Sequence, residues 1–192
     1  MLSDGKQIGR SMIEMIGVLA IVGVLSVGGI AGYSAAMDKL KLNKYATDIN
    51  IMVMNYKLLT INEKTITSIK NKYYVPEGLY ADYNKYVNAT TFTDKFGNMW
   101  GNNTSGMYVR IGGNVASEAR KTAIDKTCSL IIHTLRDAQV TTLSLSHTSG
   151  SVKICNESSC NYKFNQLTME KTKEICNIIL NAQNANAIIY IY

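Results

Sequence analysis

Twenty-three consecutive residues, Met15 to Met37 (MIGVLAIVGVLSVGGIAGYSAAM), carry no charge. At about 1.5 Å per residue they reach roughly 34 Å as a helix, slightly more than a hydrocarbon layer of about 30 Å. Glu14 and Asp38 close the run at its two ends. The core helix of a soluble protein is shorter than this and shows a polar stripe. Neither holds here, so the segment is expected to live in a membrane.

What precedes the segment is unusual. Residues 1–9 (MLSDGKQIG) are small and polar, with the single basic residue Lys6. A secretory signal has a charged start, an apolar core of about 7–15 residues and a cleavage site after that core. In this chain the only apolar core begins after Gly9 and is far longer. Any leader removal therefore falls before the hydrophobic segment and leaves it on the mature protein.

Glu14 sits at the edge of that segment, between Met12-Ile13 and Met15-Ile16. At membrane depth an ionised carboxylate costs about 2.5–3.5 kcal/mol and calls for a partner, whereas in the headgroup layer it costs little. The residues alone leave both readings open. Gly17, Gly23, Gly28, Gly29 and Gly32 interrupt the segment, each at roughly 1 kcal/mol of helix propensity relative to Ala. Small residues at such spacings allow helices to approach closely in lipid. A lone anchor has no need of them; a helix that packs against its own copies does. Gly28-Gly29 is also where such a helix is weakest.

Beyond Asp38, Leu42, Tyr45, Ile49, Met52, Val53, Tyr56 and Leu59 recur at three- and four-residue steps, with Lys41, Lys44, Asp48 and Lys57 on other faces. The pattern predicts one helix from Ser11 to Thr60, apolar all round in its first half and amphipathic in its second. The apolar stripe of the second half should hold a globular head.

Residues 63–106 are rich in Asn, Thr, Gly and Tyr and contain the only proline, Pro76. They read as a long irregular connection with a short helix at Thr65–Lys72. Tyr73, Tyr74, Tyr80, Tyr83 and Tyr86 are expected to order this connection against the head, an adhesive surface being the alternative. Strands are expected at Met107–Ile111, Thr141–Leu145, Val152–Ile154, Tyr162–Phe164 and Ala187–Tyr192. Helices are expected from Arg120 to Ala138, with Ser117 ahead of it, and over Thr168–Asn181. The head is thus α+β, an antiparallel sheet packed on the long helix.

The cysteines, Cys128, Cys155, Cys160 and Cys176, all follow the membrane segment, and their even number points to an oxidising compartment and two disulfides. No C-x-x-C pair occurs, and His133 and His147 do not stand at ligand spacing, so no metal is expected. Cys128 and Cys176 fall on predicted helices, while Cys155 and Cys160 bracket the polar turn Asn156-Glu157-Ser158-Ser159. This favours the nested pairing 128–176 with 155–160. The formal charge of +6 is scattered among acids, with no basic run or basic–aromatic ladder, so no specific nucleic-acid partner is inferred. Cys128 and His133 lie five apart on a helix and do not face each other as nucleophile and base. No phosphate loop or paired carboxylates are present either, and neither an enzyme nor a cofactor is expected.

The run Gly9-Arg10-Ser11-Met12-Ile13-Glu14-Met15-Ile16-Gly17-Val18-Leu19-Ala20 resembles the prepilin start of type IV pilins and type II secretion pseudopilins. The resemblance implies cleavage after Gly9 by a membrane prepilin peptidase, Arg10 as the new and methylated N-terminus, and Glu14 as the glutamate that stands fifth in the mature chain and serves assembly. It departs from the family pattern at Arg10, where an apolar residue is usual, and in lacking the proline often found midway along the helix. The helix–strand order of the head is similar to the type IVb branch, and Thr93–Gly101 is faintly similar to a loop of major pseudopilins.

The implied organisation is a leader (1–9), a transmembrane and assembly half-helix (10–37), an amphipathic half-helix (38–62) and a head with two disulfides (63–192). The implied function is that of a structural pilus subunit, anchored in the inner membrane with its head outside the cytoplasm and then extracellular in the fibre. Its partners are then copies of itself, the peptidase and the assembly platform. The alternatives are a minor tip pilin acting in adhesion and a secretion pseudopilin.

Overall fold

The computed structural model describes residues 12–62, 69–104, 106–113, 117–147, 150–181 and 188–191. By internal contacts the chain divides into two compact units, one ending at Lys41 and the other running from Leu42 to Tyr192. Helix α1 spans Met12–Asn62. Its residues from Leu42 onward belong to the second unit, as the switch from all-round apolar to striped sequence requires.

The second unit is α+β. Its strands are β1 (Thr91–Thr93), β2 (Met99–Asn103), β3 (Gly106–Arg110), β4 (Thr142–His147), β5 (Gly150–Cys155), β6 (Tyr162–Lys163) and β7 (Ile188–Ile191). They form one sheet in the order β1-β2-β3-β7-β4-β5-β6. Helices α2 (Tyr83–Tyr86), α3 (Ser117–Asp137) and α4 (Met169–Asn181) complete it, with 3-10 turns at Asn71–Tyr73, Glu77–Leu79 and Phe164–Gln166.

Period-two alternation sorts the strand residues. One face presents Phe92, Trp100, Val109, Ile189, Leu145 and Val152 in register across six strands. Against these pack Tyr45, Ile49, Met52, Val53 and Tyr56 of α1, Ile124, Cys128, Ile131, Ile132 and Leu135 of α3, and Ile175 and Ile179 of α4, in one continuous core. The three- and four-residue steps of each helix place these side chains on one stripe.

Two expectations need correction. The sheet is mixed, because β6 runs parallel to β5. A parallel neighbour ordinarily needs a crossover of a dozen residues. Here the Cys155–Cys160 bridge folds the chain back within a few residues. Asn161 then fixes the return: its amide N–H donates to Lys153 O at 3.0 Å, and its Oδ1 accepts from Lys153 N at 2.9 Å.

The stretch 63–106 is also more regular than its composition suggests, since β1 and β2 lie inside it. Gly and Asn are poor strand formers, but tertiary contacts override propensity here. Trp100 is fully buried. The Asn102 amide donates to Ile69 O at 2.8 Å and to Tyr74 Oη at 2.9 Å, and its Oδ1 accepts from Ile69 N at 2.7 Å. Of the helix expected at Thr65–Lys72, residues 65–68 lie outside the described residues, and Asn71–Tyr73 form a single 3-10 turn. Tyr74 and Tyr80 are buried, as ordering of this segment requires, while Tyr73 and Tyr83 stand in solvent.

One cation joins α1 to α3. Lys57 Nζ donates to the carbonyls of Ala138 and Gln139, both at 2.8 Å, just past the C-terminal end of α3. Gln139 has a left-handed φ of 55°, which turns the chain out of the helix. The ammonium both satisfies two carbonyls and complements the negative end of the helix dipole. Burial lowers its pKa from the ordinary lysine value. Lys57→Met should therefore destabilise this unit by about 1–2 kcal/mol. A Tm unchanged from wild type in a thermal melt would refute the clamp.

Candidate functional site

Within the first unit, Glu14 lies in the first turn of α1, with its side chain exposed and its negative charge near the positive end of the helix dipole. Among the described residues it forms no ion pair. Gly9 and Arg10, the expected cleavage pair, lie outside the described residues. The apolar side chains that follow are uncovered: Leu19 is 67% exposed and Val24 74%. Ser26, a hydroxyl in the middle of the run, donates to the Val22 carbonyl at 2.7 Å and so leaves no unmet donor. At the polar end Lys41 pairs with Asp38 at 3.7 Å. Among the described residues, α1 is the one helix long and apolar enough to cross a membrane.

Among the described residues, the glycines of this half-helix pack against no other part of the chain. A Cβ placed on Gly17, Gly23, Gly28, Gly29 or Gly32 would meet nothing within 4 Å, and none of the five has a left-handed φ. Five positions thus lower helix propensity by about 1 kcal/mol each with no return from intrachain packing or backbone conformation.

In the second unit the cysteines pair as Cys128–Cys176, which joins α3 to α4 with Cα atoms 5.9 Å apart, and Cys155–Cys160, with Cα atoms 5.8 Å apart. Cys128 is fully buried in its bridge. His133 faces Thr172 Oγ1 at 3.2 Å across the α3–α4 seam, and burial lowers its pKa. The two residues weighed as nucleophile and base thus both serve the contact between α3 and α4. No three His, Cys, Asp or Glu side chains converge as a metal-holding group among the described residues.

Sequence reasoning missed the most polar feature of the core, which is centred on Asp94. Its carboxylate is buried and accepts from Tyr45 Oη, from Trp100 Nε1 at 2.8 Å, from Asn98 Nδ2 at 3.0 Å, and from the backbone N–H groups of Phe96 (2.8 Å) and Asn98 (2.9 Å). Asn98 reaches on to Thr127 of α3, its Nδ2 donating to Thr127 Oγ1 at 3.2 Å, and its Oδ1 accepts from Gly112 N at 3.0 Å. Desolvation pushes Asp94 above the ordinary carboxylate pKa while the donors pull it back. Burial and the neighbouring Asp94 charge hold Tyr45 well above the ordinary phenol value. This cluster ties α1, the β1–β2 connection and α3 together. Its only sequence signal is the spacing Asp94-x-x-x-Asn98-x-Trp100, a turn followed by an aromatic with an N–H to place.

No family model, no curated protein and no solved structure matches the chain.

Proposed function

We propose that the chain is a structural subunit of a type IV pilus, cleaved after Gly9 by a prepilin peptidase and polymerised through α1, with a pilin-like head and no enzymatic role. One observation carries the reading. The first half of α1 presents an apolar surface, uncharged from Met15 to Met37, that carries five glycines at which a Cβ would meet no described atom of the chain within 4 Å. Lipid alone does not call for glycine, whereas close packing of identical helices does. Glu14, exposed beside this surface, forms no ion pair among the described residues, and the α-amino group freed at Arg10, of its own chain or of a neighbour, is the cation that this reading gives it. Two disulfides in the second unit suit a head outside the cytoplasm.

The test is to shear surface filaments and sequence the N-terminus of their subunits. The expected readout is Arg-Ser-Met-Ile-Glu, with this chain present at the copy number of the whole fibre. An intact Met1, or a start beyond Ala31, would overturn the processing. Trace amounts in otherwise abundant filaments would assign the chain to the tip as a minor pilin, and absence from surface filaments would leave the pseudopilin reading.

A further inference from the structure

The strand residues that alternate with the core-facing ones form a second face of the sheet. Thr91, Gly101, Tyr108, Tyr190, Ser144 and Lys153 stand in register across six strands on this side. Tyr108, Tyr190 and Ser144 are half-buried and Lys153 is exposed. Gly101 is buried here for a steric reason. A Cβ on it would stand 2.6 Å from Tyr108 Oη and 2.7 Å from Tyr108 Cζ, so the phenol lies flat across β2. Tyr190, on the next strand, places its ring centroid 6.3 Å from that of Tyr108. β3 and β7 are the third and fourth strands of the seven. The two rings, tilted 55° to each other, form an aromatic pair near the middle of the face, with the Tyr108 ring as its platform.

Among the described residues, the outward strand positions around the platform are hydroxylic and carry no carboxylate. By the same alternation Thr93, Ser146 and Ser151 share the face, and its charges are the cations Arg110, Lys153 and Lys163; among the described outward strand residues none is Asp or Glu. We propose that this face binds an acidic saccharide. The apolar face of a pyranose ring would stack on Tyr108 with the tilted Tyr190 ring against its edge, its hydroxyls would bond Thr91, Ser144 and Ser146, and a carboxylate would meet Lys153. Charge complementarity excludes a basic partner, and the spacing of the cations disfavours a nucleic acid. Lys153 and Lys163 stand on adjacent strands, but Arg110 on β3 and Lys153 on β5 are three strand spacings apart, about 14 Å, so the face carries no continuous row of cations. A nucleic-acid strand carries a charge on every nucleotide, so most of its phosphates would meet no cation here. A sugar chain with intermittent carboxylates matches the ratio of hydroxyl, ring and ammonium.

The inference concerns the head surface alone and stands whether or not the chain polymerises. The test uses the full chain in detergent micelles, with binding followed by interferometry. The probes are a hyaluronan hexasaccharide, sialyllactose, neutral cellohexaose and a fifteen-residue oligothymidylate. The acidic saccharides are expected to bind more tightly than cellohexaose. Tyr108→Ser and Tyr190→Ser should each weaken that binding about tenfold or more, while Tyr108→Phe, which keeps the ring, leaves it intact. Lys153→Gln, at an exposed position, should abolish the preference for the acidic probes. Unshifted Trp100 emission in each variant reports an intact core. The proposal fails if neither acidic saccharide binds, if Tyr108→Ser and Lys153→Gln bind as wild type does, or if the oligothymidylate binds more tightly than either sugar.

Discussion

A Glu14→Leu chain is expected to be cleaved, inserted and folded, yet to yield fewer surface filaments than wild type by about tenfold or more. On the pilin reading, the carboxylate enters a bundle of apolar helices, where an unpaired charge costs several kcal/mol and a paired one selects a single axial register. Each 1.4 kcal/mol lost at a subunit contact is a tenfold change in its equilibrium, and a filament repeats that contact at every subunit. The Arg10 guanidinium is a second candidate cation beside the α-amino group. An Arg10→Phe chain with Glu14 intact separates the two, because it removes the guanidinium and keeps the amine. Normal filament yield from Glu14→Leu as the sole subunit would show that Glu14 rests in the headgroup layer as a bystander.

The second large effect is expected at Asp94. Replacing it with Asn keeps the shape but turns an acceptor into a donor among groups that themselves donate: the Trp100 indole N–H, the Asn98 amide, and two backbone N–H groups on the other oxygen. Asn98 cannot turn its amide round without losing the bond that its Oδ1 accepts from Gly112 N. The expected loss is about 3 kcal/mol, from buried donors left unmet in a connected network. Tyr45→Phe removes one donor of the five and should lose only about 1 kcal/mol. Trp100 is the single tryptophan and is fully buried in this cluster, so its emission follows guanidinium unfolding directly. Equal midpoints for Asp94→Asn and wild type would show that the cluster is an ornament of the fold.

These two residues mark the limits of reading by sequence. The place of Glu14 is legible because it is local, an acid in the first turn of α1 at the boundary of an uncharged run, whereas its role in assembly is what the filament yield tests. The α1 stripe from Tyr45 to Tyr56 is legible for the same reason, since a helix repeats its face every three or four positions. Asp94 is not legible. Its partner Tyr45, and Thr127 reached through Asn98, lie far away in the chain on either side, and no pattern within a window of residues joins them. β2 was hidden by its own composition, Met-Trp-Gly-Asn-Asn, in which Trp100 and Asn102 face the core while Gly101 lies beneath Tyr108 on the other face. The direction of β6 was hidden because a parallel return depends on a bridge that closes a turn. The cysteine positions were legible as an even set on helices and around a polar turn, which is all that the pairing seen in the structure needed.

The Cys128–Cys176 bridge also sets how far the head yields when it is stretched. If a fibre made of such chains were pulled, load entering through α1 would reach the sheet at Tyr45, held to Asp94, and the end of α3 at Lys57. These attachments are 12 residues apart, about 18 Å along the helix, so they resist in shear together and do not peel one after the other. Should they give way, the 48-residue step from Cys128 to Cys176 stays short-circuited by a covalent bond. Roughly 160 Å of extended chain is thereby withheld from the slack that each subunit releases. An oxidised head is a short tether and a reduced one a long tether, so the redox state of a single bridge would set the extensibility of the whole fibre.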